Sequence, residues 1–140
     1  MNEVLTIQFD GGSRGNPGPA AYGVRIESPD GVLIDELQES IGIATNNVAE
    51  YRGLLAGLDY AIANGHRDVL VRSDSELLVK QMKGLYKVKH PDMQRLHGEA
   101  RLRIAKLGKV NFEHVRRALN AHADGLANKA MDAAMKRAGE

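Results

Sequence analysis

The strongest constraint in this 140-residue chain is a single change of hydrophobic period near residue 45. Before it, Val4-Leu5-Thr6-Ile7-Gln8-Phe9 alternates apolar with polar residues, the pattern of a strand with one buried face. A turn cluster rich in Gly and Pro follows over residues 10–19, and two more strands are expected over 20–27 and 32–41, joined by a hairpin turn at Pro29-Asp30-Gly31. After the change, Tyr51, Leu54, Leu55, Leu58, Ala61 and Ile62 recur at three- and four-residue steps, which predicts an amphipathic helix capped by Asn46 or Asn47 and ended by Asn64-Gly65. Val69-Leu70-Val71 reads as a strand buried on both faces. A short helix is expected from near Ser75 to Gly84, and another from Pro91 with Met93, Leu96, Ala100, Ile104 and Leu107 facing inward. A fifth strand over 110–115 and a final helix over about 123–137 complete the chain. Three strands followed by alternating helix and strand predict an α/β fold whose sheet begins as an antiparallel meander. No repeat, linker or low-complexity segment interrupts it, so residues 1–140 are expected to form one domain.

Composition narrows the chemistry. There is no cysteine, which excludes disulfides, thiolate catalysis and cysteine-ligated zinc. No window approaches the ~20 apolar residues of a membrane span, and no basic-then-apolar leader opens the chain, so a cytoplasmic protein with no membrane partner is the expectation. With 19 basic and 18 acidic residues the formal net charge is only +1, so any nucleic-acid binding must come from local placement of Lys and Arg.

Most of the 18 acids have an ordinary explanation as solvated side chains on turns, strands or polar helix faces. Four stand apart. Asp10 and Asp74 each follow an apolar strand, and in open sheets with parallel strands ligands bind at the strands' C-terminal ends. Glu50 and Asp124 are expected in the first turns of the first long helix and the last one. An acid in a first turn also favours the helix dipole, and an Asp before Gly-Gly also starts a turn, so each position alone has a structural explanation. The four converge only if the first and fourth strands are neighbours. Carboxylates crowded together raise one another's pKa, and a divalent cation removes that conflict. An oxygen-only donor set points to Mg²⁺ or Mn²⁺ and suits two-metal phosphoryl chemistry.

At these same residues the sequence resembles the type 1 ribonuclease H family. Phe9-Asp10-Gly11-Gly12-Ser13-Arg14-Gly15-Asn16-Pro17-Gly18-Pro19-Ala20-Ala21-Tyr22-Gly23 is similar to the family's first active-site segment. Thr45-Asn46-Asn47-Val48-Ala49-Glu50-Tyr51-Arg52-Gly53-Leu54 is similar to the second, Arg72-Ser73-Asp74-Ser75 to the third, and Asn120-Ala121-His122-Ala123-Asp124-Gly125-Leu126-Ala127-Asn128 to the fourth. Order and gaps agree over about residues 4–137. The resemblance implies a five-stranded mixed sheet flanked by helices, and two Mg²⁺ ions (or Mn²⁺ in their place) held by Asp10, Glu50, Asp74 and Asp124. It also implies hydrolysis of the RNA strand of RNA–DNA hybrids to 3′-hydroxyl and 5′-phosphate ends. By the same resemblance Glu50 reaches the 2′-hydroxyl, Gly11 and Gly12 let the backbone approach the RNA, and Asn16, Thr45, Asn46 and Asn47 contact the hybrid. For these polar residues helix capping and turn formation are the alternative.

Two departures qualify the resemblance. Better-known members carry a basic helical protrusion, whereas here the stretch is only Gly84-Leu85-Tyr86-Lys87-Val88-Lys89-His90-Pro91, as in the branch lacking it. Lys80, Lys83, Lys87 and Lys89 either supply part of that contact or form a solvated basic loop, and hybrid binding is expected to be weak and salt-dependent. Many members also carry a mobile His before the last aspartate. Here Arg117 and Asn120 match the shorter branch pattern, while a Pro and a Glu common beside them are replaced by Arg116 and Ala118. Arg117 is therefore the candidate for the auxiliary role, with a surface arginine as the alternative. His122, close to Asp124 but unmatched to the family histidine, is expected to be a helix-start surface residue, and His114 structural. A monomer without an obligate protein partner is expected. The rival readings are a nuclease with relaxed specificity toward RNA–RNA duplexes and a non-catalytic module reading hybrid or structured RNA. A nucleotide-binding domain is excluded, because Gly11-Gly12-Ser13-Arg14-Gly15 fits neither a dinucleotide fingerprint nor a P-loop.

Overall fold

The computed structural model describes residues 3–138. Three strands come first: β1 (Val4–Ser13), β2 (Gly18–Glu27) and β3 (Leu33–Ala44). Then follow α1 (Asn46–Ala63), β4 (Asp68–Ser73), α2 (Glu76–Met82), α3 (Pro91–Ala105) and β5 (Lys109–His114). A single 3₁₀ turn, Arg117–Asn120, leads into α4 (Ala121–Ala138). The strands form one five-stranded sheet in the order β3-β2-β1-β4-β5. The β1–β2 and β2–β3 pairs are antiparallel, and β1–β4 and β4–β5 are parallel. Thus the first and fourth strands are neighbours, and the mixed sheet flanked by helices is the one the resemblance implies.

Alternation along β1 explains the two layers. Ile7 and Phe9 point to the face covered by α1, where Tyr22, Val24, Leu54 and Leu58 complete the main core. Asp10 and Gly12 point the other way, where α4 packs through Ala127, Ala130 and Met131 against Ala21 of β2. The α1 face is built from large aliphatic and aromatic side chains, the α4 face from three alanines and Met131, so α4 lies close to the sheet. α3 packs outside α1, and the Tyr51 hydroxyl donates to Gln81 Oε1 at 2.6 Å, tying α1 to α2 within the core. No helix among the described residues is long and apolar enough to cross a membrane.

Several boundaries differ from the sequence reading. β1 does not stop before Asp10; it continues through Gly11 and Gly12 to Ser13, which pairs with Ala20. Backbone pairing with β2 holds the glycines extended, and the turn is confined to residues 14–17. β3 continues beyond 41 to Ala44, past Gly42, whose φ of 77° follows a register shift opposite Ala20/Ala21. Thr45, and neither Asn46 nor Asn47, caps α1, its hydroxyl accepting from the Val48 N–H at 3.2 Å. α1 therefore starts at Asn46, which leaves Glu50 just beyond the first turn instead of inside it. α4 begins at Ala121, two residues earlier than expected, and Asp124 remains in its first turn. The turn at residues 28–32 forms as expected, with Gly31 at φ 82°.

Candidate active site

The ladder between β1 and β4 runs from Val4↔Asp68 to Gln8↔Arg72 and stops. Beyond it β1 stays paired only with β2, and β4 ends at Ser73, so a crevice opens between the two C-terminal ends. This is where the order of strands reverses direction around β1, the usual ligand position in an open sheet with parallel strands. The Phe9 carbonyl, left beside the gap, accepts from Asn120 Nδ2 at 2.8 Å. Asn120 is wholly buried, and its Oδ1 has no hydrogen-bond partner among the described residues. It therefore ties the 3₁₀ turn to β1 and is not among the residues lining the cleft, so an auxiliary role for it would act through the position of that turn.

Two glycines set how near the helices come. A Cβ on Gly11 would lie 2.3–2.5 Å from backbone atoms of Ala49 and Glu50, so α1 sits directly on β1 beside Asp10. A Cβ on Gly23, the residue paired with Asp10, would lie 2.4–2.7 Å from Leu126 Cβ, the Ala123 carbonyl and the Ala127 nitrogen, so α4 sits directly on β2. Gly11 was expected to make room for RNA, but the neighbour that demands a glycine there is α1.

The result is a cleft of about 480 Å³ lined by all four acids, Asp10, Glu50, Asp74 and Asp124, with Ser75, Arg14, Arg117 and Asn128 on its walls. Asp10 comes from β1, Glu50 from α1, Asp74 from the residue after β4 and Asp124 from α4. Burial raises the Asp10 pKa to about 8, with further contributions from a hydrogen bond to Asp124 and the charges of Asp74, Asp124 and Glu50. Glu50 is raised to about 7, again chiefly by burial, with a hydrogen bond from Ser75 and the nearby Arg117 opposing the shift and Asp74 adding to it. Arg117 extends from the 3₁₀ turn with its side chain 82% exposed and its Nε 3.8 Å from Asp74 Oδ2. Among the described residues no three of these side chains close into a ready-made metal cage. Asp10 is turned to Asp124, Glu50 to Ser75 and Asp74 toward Arg117, contacts that a cation would displace. An all-oxygen set of four carboxylates, two of them held reluctant to ionise, fits hard divalent cations such as Mg²⁺.

The polar residues assigned to substrate divide into two groups. Asn46 Oδ1 accepts from the Ser13 N–H, and Asn16 Oδ1 accepts from the Asn46 N–H at 3.0 Å, so these two clamp the β1–β2 turn to the start of α1. Asn16 itself sits at φ 24°. Thr45 is occupied as the cap, whereas the exposed Asn47 amide makes no hydrogen bond among the described residues. Asn16, Thr45 and Asn47 line a second cleft of about 330 Å³ with Val48, His90, Asp92 and Met93. Gly12 lies on the first cleft against Met131. His122 is exposed in the first turn of α4 and lines neither cleft, and His114 contacts the Asp74 carbonyl at 3.3 Å. Sequence reasoning assigned no role to Ser75, Arg14 or Asn128; for Asn128 the signal was available, since it lies one turn after Asp124 on the same helix face.

A family model described as reverse transcriptase-like matches residues 8–130. The chain is 50% identical over 135 residues to a bifunctional protein of Mycobacterium tuberculosis, covering 96% of this chain and 37% of that protein. It is 45% identical over 124 residues to ribonuclease HI of Halobacterium salinarum, covering 89% of this chain and 62% of that one. The chain belongs to the type 1 ribonuclease H family. Among solved structures, the N-terminal ribonuclease H domain of the mycobacterial protein superposes with a TM-score of 0.94 at 49% identity, covering 98% of this chain and 99% of that one. A ribonuclease H1 designated LC11, solved in complex with an RNA/DNA hybrid, superposes with a TM-score of 0.90 at 40% identity, covering 94% and 99%. The chain thus spans little more than a third of the mycobacterial relative but nearly all of these ribonuclease H structures.

Proposed function

We propose that this domain is an endoribonuclease that hydrolyses the RNA strand of RNA–DNA hybrids with two divalent cations, leaving 3′-hydroxyl and 5′-phosphate ends. The observation that carries the reading is the meeting of four carboxylates, from four different elements, in one open cleft at the parting of β1 and β4. Further support comes from the kinship to LC11, a protein solved with the hybrid bound. Asp10, Glu50, Asp74 and Asp124 would hold the cations, with Asp10 central among them, Glu50 and Asp74 on one side and Asp124 on the other. Bound there, divalent cations would supply activation of the attacking water and stabilisation of the leaving oxygen. Mg²⁺ is the ion favoured by an oxygen-only site, with Mn²⁺ able to substitute.

The chain's own groups do the positioning. Glu50 accepts from the RNA 2′-hydroxyl, the group that separates RNA from DNA. Asn47, with Thr45 and Asn16 beside it, contacts the hybrid in the neighbouring cleft. Arg117, exposed at the cleft mouth, takes the auxiliary role and helps the product phosphate leave. The same reading has the domain acting as a monomer in the cytoplasm.

The test is cleavage of end-labelled RNA paired to DNA, paired to RNA, and alone, each with Mg²⁺, with Mn²⁺ and with EDTA, beside Asp10→Asn. The expected result is cutting of the hybrid that both EDTA and the substitution abolish. Equal cutting of the RNA duplex would keep the chemistry and overturn the specificity. Binding of hybrid with no cutting in either metal would make the domain a reader of hybrids.

A further inference from the structure

The wall of the active-site cleft formed by α4 carries a chain of polar contacts that none of the roles above uses. Asp124, Asn128 and Asp132 stand four residues apart, so they line one face of the helix. Asn128 Nδ2 donates to Asp124 Oδ2 at 3.3 Å. Arg14, from the turn after β1, donates through one terminal nitrogen to Asn128 Oδ1 at 3.2 Å and to Asp132 Oδ1 at 2.8 Å. Arginine has only donors, so it fixes which way the Asn128 amide faces: the oxygen toward Arg14 and the NH₂ toward the carboxylate. Asp132 in turn holds the guanidinium on the outer side of Asn128. Without Asp132 the guanidinium, which lines the cleft, keeps only its hydrogen bond to Asn128 Oδ1.

We propose that Asp132, Arg14 and Asn128 form a positioning relay that fixes the orientation of Asp124 and thereby sets the affinity of the cation site Asp124 completes. The inference rests on the two-cation reading above. None of the three touches the reacting atoms; they act through Asp124. The Arg14 and Asp132 side chains are 40% and 65% exposed, and exposed ion pairs contribute little to stability, so disturbing them tests orientation with the fold intact.

The experiment is calorimetric titration of Mn²⁺ into the whole chain, with hydrolysis of the hybrid followed against Mg²⁺ concentration. Asn128→Ala is expected to weaken one of the two Mn²⁺ binding steps by roughly tenfold, the lower end for groups that orient metal ligands, and to leave the other step unchanged. The Mg²⁺ concentration for half-maximal rate should rise in proportion, with the rate at saturating Mg²⁺ within about twofold of the parent. Asp132→Asn, nearly isosteric and on the surface, should move the same step in the same direction by a smaller factor, and it carries the test if Asn128→Ala does not fold. Arg14→Lys, which keeps a donor, should bind Mn²⁺ more tightly than Arg14→Ala. Unchanged Mn²⁺ binding in both Asn128→Ala and Asp132→Asn, or equal weakening of both steps, would overturn the relay and leave the nuclease reading standing. A parent protein that neither binds Mn²⁺ nor cuts hybrid would overturn both.

Discussion

Asp10 has three other acids around it and very little water to screen them, being only 8% exposed. Its carboxyl is pushed up to about 8, well above its ordinary value, so between about pH 4 and pH 8 the metal-free folded protein keeps a proton there that the unfolded chain releases. Stability from this group is therefore lost as pH rises through that window. Asp10→Asn imitates the protonated form. Without divalent cations the variant should melt at the same temperature as the parent near pH 4 and progressively above it toward pH 8.5, by on the order of 4 °C for each kcal/mol relieved. Saturating Mg²⁺ should reverse the order, because it stabilises the parent and not the variant. Melting curves across that range, with and without Mg²⁺, check both arms; a parent whose metal-free melting point rises with pH would contradict the crowding of charge. All four acids are legible in the sequence because Asp10 and Asp74 follow an apolar run of a strand and Glu50 and Asp124 fall near the start of a helix, positions set by local pattern. Asn120 and Ser75 were not legible in their roles, since one acts through the Phe9 carbonyl and the other through Glu50, partners that only folding supplies.

At the scale of elements the site is made by two helices pressed onto two strands. α1 rests on Gly11 through backbone atoms, and α4 on Gly23 through Leu126 Cβ and the backbone of Ala123 and Ala127, atoms that cannot turn aside as the end of a side chain can. Gly23→Ala should therefore push α4, and Asp124 with it, off the sheet. The expected loss is about 1–3 kcal/mol of stability in urea unfolding, in the range for overfilled cores, together with a higher Mg²⁺ concentration for half-maximal activity. Gly98 is the control. It lies within α3 with nothing within 4 Å of an added Cβ, so Gly98→Ala should stabilise by up to about 1 kcal/mol through helix propensity. Equal effects of the two substitutions would refute the seating of α4. Periodicity reveals the helices and strands themselves, because burial repeats at fixed steps along each. It does not reveal where β1 ends, because Gly11 and Gly12 resemble turn residues while their partners, Tyr22 and Ala21, lie beyond an intervening loop.

Across the whole molecule charge is balanced in number and separated in space, with 19 basic and 18 acidic side chains. The cleft collects carboxylates, and the segment between α2 and α3 collects lysines. Lys80, in the last turn of α2, is already engaged, pairing with Glu76 and lying 5.0 Å from the centre of the Tyr86 ring. Lys83, Lys87 and Lys89 are exposed and form no ion pair among the described residues, which makes them the cations free to meet phosphate. If they grip the hybrid at a distance from the chemistry, replacing all three with Ala should raise KM several-fold at moderate salt and leave kcat within about twofold, since only binding common to ground and transition states is removed. The dependence of log affinity on log salt should become shallower by roughly 0.9 for each phosphate that the variant no longer neutralises, so by up to about 3 in all. The salt slope decides more than KM does: a loop that merely adjusts the fold could raise KM, but only a smaller release of counterions flattens the slope. An unchanged slope would return these lysines to the solvent and leave Asn47 and its neighbours as the principal hold on the substrate.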